Sequence, residues 1–297
     1  MRSSDRCWRR RRGLSVGRED RRMMERDVLI IEAGRTERHY WADLWRYREL
    51  FYFLAWRDLV VRYKQTAIGV AWSVLRPVLT MVVFTLVFGK LAKLPSENVP
   101  YPILVFAALL PWQLFATAFS EAGNSLISNA NMISKVYFPR LIVPASTAIV
   151  SCVDFLISLL ILAVLMAWYG IGPDWRILAL PVFVIIALAA ALGAGLWTAA
   201  LNVRYRDVRF VIPFAVQLGL YISPVGFSSS VIPENWRLLY SVNPMVGVID
   251  GFRWAILGGE VPLYWPGMAL SVGLIVGTLA TGIAYFRATE KTFADVI

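Results

Sequence analysis

Metal-binding and redox-active side chains are scarce in this sequence, with two cysteines and one histidine among 297 residues. Cys7 lies in an arginine-rich tail and Cys152 inside an apolar run, so neither a disulfide framework nor a metal-ligand spacing can be built from them. His39 has no second histidine or cysteine nearby and reads as a solvated residue. Charge is also sparse, at 17% of residues against the ~25% usual in soluble domains. There is no G-x-x-x-x-G-K-[ST] phosphate loop, since Gly89-Lys90 is followed by Leu91, and no H-E-x-x-H or nucleophile elbow. These absences argue against an enzyme and leave no cofactor expected on the chain itself.

What the chain has is apolar length: 58% of residues are hydrophobic and mean hydropathy is +0.59. A bilayer core of ~30 Å takes ~20 apolar residues in a helix. Six runs meet that length, at residues 67–88, 101–126, 141–169, 177–201, 210–227 and 265–286. The expected fold is therefore an all-α integral membrane protein. The net charge of +10, much of it in the first 26 residues, then points to anionic lipid rather than nucleic acid.

Three domains are expected: residues 1–38, 39–66 and 67–297. The first, with Arg9 to Arg12, reads as a disordered cytoplasmic tail. Met23 and Met24 are alternative starts. In the second, Leu44, Tyr47, Phe51, Ala55 and Leu59 follow helical spacing, with Arg46, Glu49 and Arg57 opposite and Trp41, Trp45 and Trp56 interspersed. That pattern predicts an amphipathic helix in the membrane interface. Between residues 228 and 262 the apolar pieces 236–242 and 245–257 are too short to span. Pro233, Asn243-Pro244 and Gly258-Gly259 break them, which predicts short re-entrant helices. Asp250 and Arg253, three apart, are placed to pair on one helix face.

Ionisable residues within the runs are Arg76, Glu121 and Asp154. An arginine at mid-bilayer costs ~2.5–3.5 kcal/mol on insertion scales, so Arg76 must face protein or water, or lie near the surface. Asp154 is a candidate proton relay, although a carboxyl hydrogen-bonded between helices is the preferred reading.

Between the second and third runs lies Asn129-Ala-Asn-Met-Ile-Ser-Lys-Val-Tyr-Phe-Pro-Arg140, too polar for lipid. Its Lys135 and Arg140 share one side of the membrane with the N-terminal cluster, Arg204, Arg206, Arg209, Arg287 and Lys291. The bias of basic residues makes that side, with both termini, cytoplasmic.

These blocks carry a resemblance. They are the aromatic helix, then Ile68-Gly-Val-Ala-Trp72 and Leu75-Arg-Pro77, the 129–140 stretch, and Asn202-Val-Arg-Tyr-Arg-Asp207. Ser223-Pro224, Asn243-Pro244 and Gly251-Phe-Arg-Trp254 follow. From about Tyr40 onward the chain resembles the transmembrane subunit of type-2 ATP-binding-cassette exporters, in the branch that exports O-antigen, capsule or teichoic-acid chains. The resemblance implies a homodimer in the bacterial inner membrane. A separate nucleotide-binding subunit would hold ATP and magnesium, and the cargo would be a glycan on undecaprenyl diphosphate. It implies a coupling helix at Lys135, Tyr137, Phe138, Pro139 and Arg140, and a second cytoplasmic contact at Arg204, Arg206, Asp207 and Arg209. It implies an external gate around Pro224, Pro233, Pro244, Asp250 and Arg253. Arg46, Arg57 and Arg62 are expected head-group contacts, with a plain lipid-surface role as the other reading. A same-fold permease for a drug or lipid is the first alternative. A membrane enzyme acting on a polyprenyl phosphate is the second, opposed by Asp207 being the only carboxylate in either internal polar loop.

Overall fold

The computed structural model describes residues 40–64, 67–97, 99–205, 207–258 and 262–293, with backbone alone at 67–70. The expectations for the 1–38 tail, His39 and Arg206 fall outside the described residues. Those that are described form helices and turns, with no strand among them.

The chain enters through α1 (Tyr40–Arg46) and α2 (Arg48–Lys64). Helix α3 (Ala67–Phe84) runs on into a π-helical segment, Thr85–Leu91. Next come α4 (Tyr101–Ser128), the single turn α5 (Ala130–Ile133), α6 (Ile142–Tyr169) and α7 (Leu180–Arg204), the last preceded by a 3₁₀ turn. The chain continues through α8 (Val208–Ile222), α9 (Glu234–Tyr240), α10 (Pro244–Ile256) and α11 (Trp265–Thr289).

Five helical segments are long and apolar enough to cross a membrane: Ala71–Leu91, Tyr101–Ser128, Ile142–Tyr169, Trp175–Arg204 and Trp265–Thr292. The run expected at 210–227 is a shorter apolar helix, α8, of 15 residues and about 22 Å. Its end has a local cause. Ser223 precedes Pro224, which disfavours the helical region, and Ser223 is extended at φ −81° and ψ 153°.

Helix α4 is the hub. It packs against α6, α7, α10, α3 and α8, and Ile103 through Leu110 are buried around its whole circumference. A helix apolar on every side belongs inside a bundle. Small residues permit close helix crossings in the 177–201 run. A Cβ on Gly193 would lie 2.9 Å from the Leu279 backbone nitrogen, and one on Gly282 would lie 2.7 Å from the Gly193 carbonyl oxygen. α7 and α11 thus touch backbone to backbone.

The entry helices are not divided into an apolar and a polar face. Leu54 and Ala55 are buried, with Leu44, Tyr47, Leu50 and Phe51 partly so, against Leu126, Ile133, Phe138, Ile142 and Phe286. The outward side carries Trp41, Trp45, Tyr52, Phe53 and Trp56 among the exposed Arg46, Arg48 and Glu49. The polar face read from Arg46, Glu49 and Arg57 is largely an aromatic one.

Candidate functional site

Contacts between helix ends sort the turns into two sets. Asn202, at the end of α7, donates from Nδ2 to the Gly123 carbonyl at 3.1 Å and to Asn124 Oδ1 at 3.1 Å, near the end of α4. The Arg140 backbone N–H donates to Glu290 Oε1 at 2.6 Å, and the Tyr40 hydroxyl donates to Glu290 Oε2 at 3.0 Å. The start of α1, the turn 129–140, the end of α7 and the end of α11 therefore meet at one end of the bundle. Burial, and then Glu290, hold the Tyr40 hydroxyl above its ordinary range.

Within that end, the five residues expected to form the coupling helix are not helical: the one helical turn is Ala130–Ile133, and 134–140 are turns and irregular chain. The five divide by burial. Lys135 and Tyr137 are exposed, whereas Phe138 and Pro139 are buried. Phe138 is 3% exposed and belongs to the core under α2. Arg140 also donates from Nη1 to the Glu290 carbonyl and lies over the Phe293 ring, 5.9 Å from its centroid. Arg204, Asp207 and Arg209 are exposed at the same end, the two arginines lying over Tyr205 and Phe210.

The three arginines expected at lipid head groups have different surroundings. Arg46 is exposed. Arg57 pairs with Asp58 at 2.8 Å and donates to Asn129 Oδ1 at 2.7 Å. Arg62 reaches into the bundle, 2.8 Å from Asp154 and 3.7 Å from Glu121. The Tyr63 hydroxyl donates to Asp154 Oδ1 at 2.5 Å, and burial, then this bond, raises its pKa. Asp154 is thus hydrogen-bonded and ion-paired between helices.

The opposite end is tied into a closed network of hydrogen bonds. Arg253 is fully buried and does not make the ion pair expected with Asp250. Its guanidinium donates to the main-chain carbonyls of Phe227 at 2.9 Å, Val225 at 3.2 Å and Leu104 at 3.2 Å. Carbonyls freed where the chain leaves α8 are the stronger claim, because a buried orphan acceptor costs ~1–3 kcal/mol. Asp250 is 5% exposed. Ser228 donates to Glu97 Oε1 at 2.5 Å, and Ser230 donates to the same oxygen. The Tyr101 hydroxyl donates to the Gly226 carbonyl at 2.5 Å. Pro224 is buried beside this lattice, Pro244 is the first residue of α10, and Pro233 caps α9 and is exposed.

Between the two ends runs a feature that the sequence reading did not pick out. Gln113, Thr117, Ser120, Glu121 and Asn124 lie on one face of α4 by their spacing, and each is half-buried or exposed. Other faces are covered: Gly219 of α8 abuts Trp112, Ile212 of α8 abuts Gly123, and Gly195 of α7 abuts Ala122. A polar stripe therefore stays open on the most buried helix. On α3, Trp72, Leu75, Arg76, Leu79 and Val83 are exposed on one side, and on α8 Phe210, Phe214, Gln217 and Tyr221 share an outward face. Five polar residues at spacings of three and four within an apolar run were the available signal.

Residues 49–257 match the ABC-2 type transporter family, and the chain belongs to it. It is 30% identical to the O-antigen export system permease protein RfbA of Myxococcus xanthus over 258 residues, covering 86% of this chain and 98% of that protein. Over 244 residues it is 27% identical to the O-antigen export system permease protein RfbA of Klebsiella pneumoniae, covering 81% and 92% of the two chains. Over another 244 residues it is 22% identical to the polysialic acid transport protein KpsM of Escherichia coli, covering 79% and 91%.

Proposed function

We propose that this chain is the membrane half of an exporter that moves a lipid-linked polysaccharide of O-antigen type out of the cytoplasm. The observation that carries the reading is the open polar stripe on α4. Glu121 is exposed and Gln113 and Thr117 are partly so. Thr117 Oγ1 donates to the Gln113 carbonyl at 2.6 Å and Glu121 lies 3.7 Å from Arg62, so the Gln113 amide and the Glu121 carboxylate are the polar groups here that favour a watered surface over lipid. A hydrated glycan needs such a surface. The exposed aromatic rings of Trp72, Phe210, Phe214 and Tyr221 offer faces on which sugar C–H groups stack. In this reading the protein is a homodimer, with the two copies placed so that these faces together line the route.

In this reading α8, with the turn after it, completes a sixth crossing, and both termini are cytoplasmic. The end bearing Lys135 and Tyr137 receives a separate nucleotide-binding subunit, which carries ATP and magnesium. Tyr137 and Lys135 make the contact, while Phe138 and Pro139 anchor the turn to the core. Arg204, Asp207 and Arg209 supply the second contact. The aromatic side of α1 and α2 lies in the interface, where Arg46 meets head groups. The lattice around Arg253 closes the external end.

The test is reconstitution in vesicles. Glycan transfer is expected when this chain, the nucleotide-binding subunit and ATP are all present. Transfer by this chain alone would overturn the proposal.

A further inference from the structure

We infer that Arg76 is an anion-binding point within the route, and that the group it binds is a phosphate of the lipid carrier on the cargo. This rests on the export reading above and names the residue that would handle the charged part of the substrate.

Depth comes first. Gly89 abuts Tyr101, a Cβ on it lying 2.9 Å from Tyr101 Cγ, which sets α3 and α4 level at the closed end. Arg76 is thirteen residues from Gly89, roughly 18–20 Å along the helix. Trp112 is eleven residues from Tyr101, roughly 17 Å. Arg76 is therefore level with Trp112 and Gln113, close to the middle of the 28-residue α4. It is too deep to be explained as a surface residue.

Surroundings come second. Arg76 is exposed, and its guanidinium has no hydrogen-bond or ion-pair partner among the described residues. Its carbonyl accepts from Thr80 Oγ1 at 2.9 Å, an ordinary contact within the helix. Arg62, by contrast, is neutralised by Asp154 at 2.8 Å. Arg76 shares its face with Trp72 and Leu79, the face assigned to the route. Lipid there would cost ~2.5–3.5 kcal/mol, so water or a partner covers it.

Charge comes third. Helix α4 contains no Lys or Arg, α3 contains Arg76 alone, and α8 contains Arg209 at its start. Midway through the route, Arg76 is thus the single cation per copy contributed by these three helices. A cation in a low-dielectric passage raises the barrier for cations and makes a well for anions, and Arg or Lys is what phosphate-selective pores place there. The glycan itself gives no reason for such a charge, whereas a diphosphate does. A guanidinium binds its oxygens through two parallel hydrogen bonds.

The experiment uses the complete complex with its nucleotide-binding subunit in nanodiscs. ATPase stimulation is titrated with a short glycan on undecaprenyl diphosphate and with the same glycan on neutral undecaprenol. Arg76→Gln is expected to raise the half-saturating concentration of the diphosphate probe roughly tenfold to hundredfold, with Arg76→Lys recovering part of it and the neutral probe unaffected. Equal titrations for wild type and Arg76→Gln would overturn the inference while leaving the export reading intact. A wild-type complex deaf to both probes would overturn the export reading and this inference together. Arg76→Cys, in a chain with Cys7 and Cys152 replaced by serine, should react with a membrane-impermeant thiol reagent, and labelling only by lipid-soluble maleimides would overturn the inference. So would full rescue of Arg76→Glu by Glu121→Arg, which would make Arg76 an ion-pair partner instead.

Discussion

The two ends of the helix bundle are held by different chemistry. At the closed end a buried arginine binds main-chain carbonyls of Leu104, Val225 and Phe227, and Glu97 gathers Ser228 and Ser230. Arg253 thereby ties main chain from three places together through one buried side chain. At the other end side chains such as Glu290, Arg140, Arg57 and Asn202 bridge helix termini, while Lys135, Tyr137, Arg204 and Arg209 remain exposed. The first end gathers its polar groups inside, and the second carries basic and aromatic residues at its surface. Buried backbone acceptors tolerate no vacancy, whereas a half-exposed ion pair such as Arg57–Asp58 is worth ~1 kcal/mol or less; Asn202, 1% exposed, is the buried exception at this end.

The contrast can be broken most forcefully at Arg253. Arg253→Met should cost roughly 2–6 kcal/mol, by leaving the Val225 and Phe227 carbonyls unpaired, and should abolish monodisperse protein in detergent. Normal yield and melting would show that the closed end is not held as described. Next in size is Phe138→Ala, expected to cost about 3–5 kcal/mol as a large-to-small core change and to lower the melting temperature. Tyr137→Ala, one residue away, should change stability by less than about 0.5 kcal/mol. It should nonetheless abolish ATP-driven export, with the protein still inserted. Equal effects at the two positions would remove the distinction between anchor and contact. Gly193→Val should separate α7 from α11 and cost about 1–3 kcal/mol through overpacking, read as loss of thermal stability. Arg57→Ala is the smallest, at about 1 kcal/mol or less, and a large loss there would mean that the exposed end is as rigid as the closed one.

Much of this was legible in residue order. The 101–126 and 141–169 runs match α4 and α6 within two residues, because twenty-odd apolar residues have few alternatives to a helix in lipid. The polar interruption at 129–140 also falls between those helices. What could not be read was partnership at long range. Arg62 and Asp154 stand 92 positions apart, and nothing local to either announces the other. Arg253 lies three residues from Asp250, and local spacing favoured the wrong partner, because the demand of carbonyls released near Pro224 is a tertiary fact. Phe138 and Tyr137 are similar as letters, and only packing against α2 separates them. The stripe from Gln113 to Asn124 was available to a helical projection, since its spacing needs no fold to reveal it.

Thr85–Leu91 is π-helical, with the Ala92 N–H bonded back to the Val87 carbonyl, so this stretch winds more residues into each turn than the helix below it. A π-wound stretch holds slack: rewinding it as α-helix, with its outer anchor fixed, adds turn at every rewound residue and rotates everything beneath about the helix axis. The guanidinium of Arg76 would then swing about the helix axis without any other segment having to shift along the membrane normal.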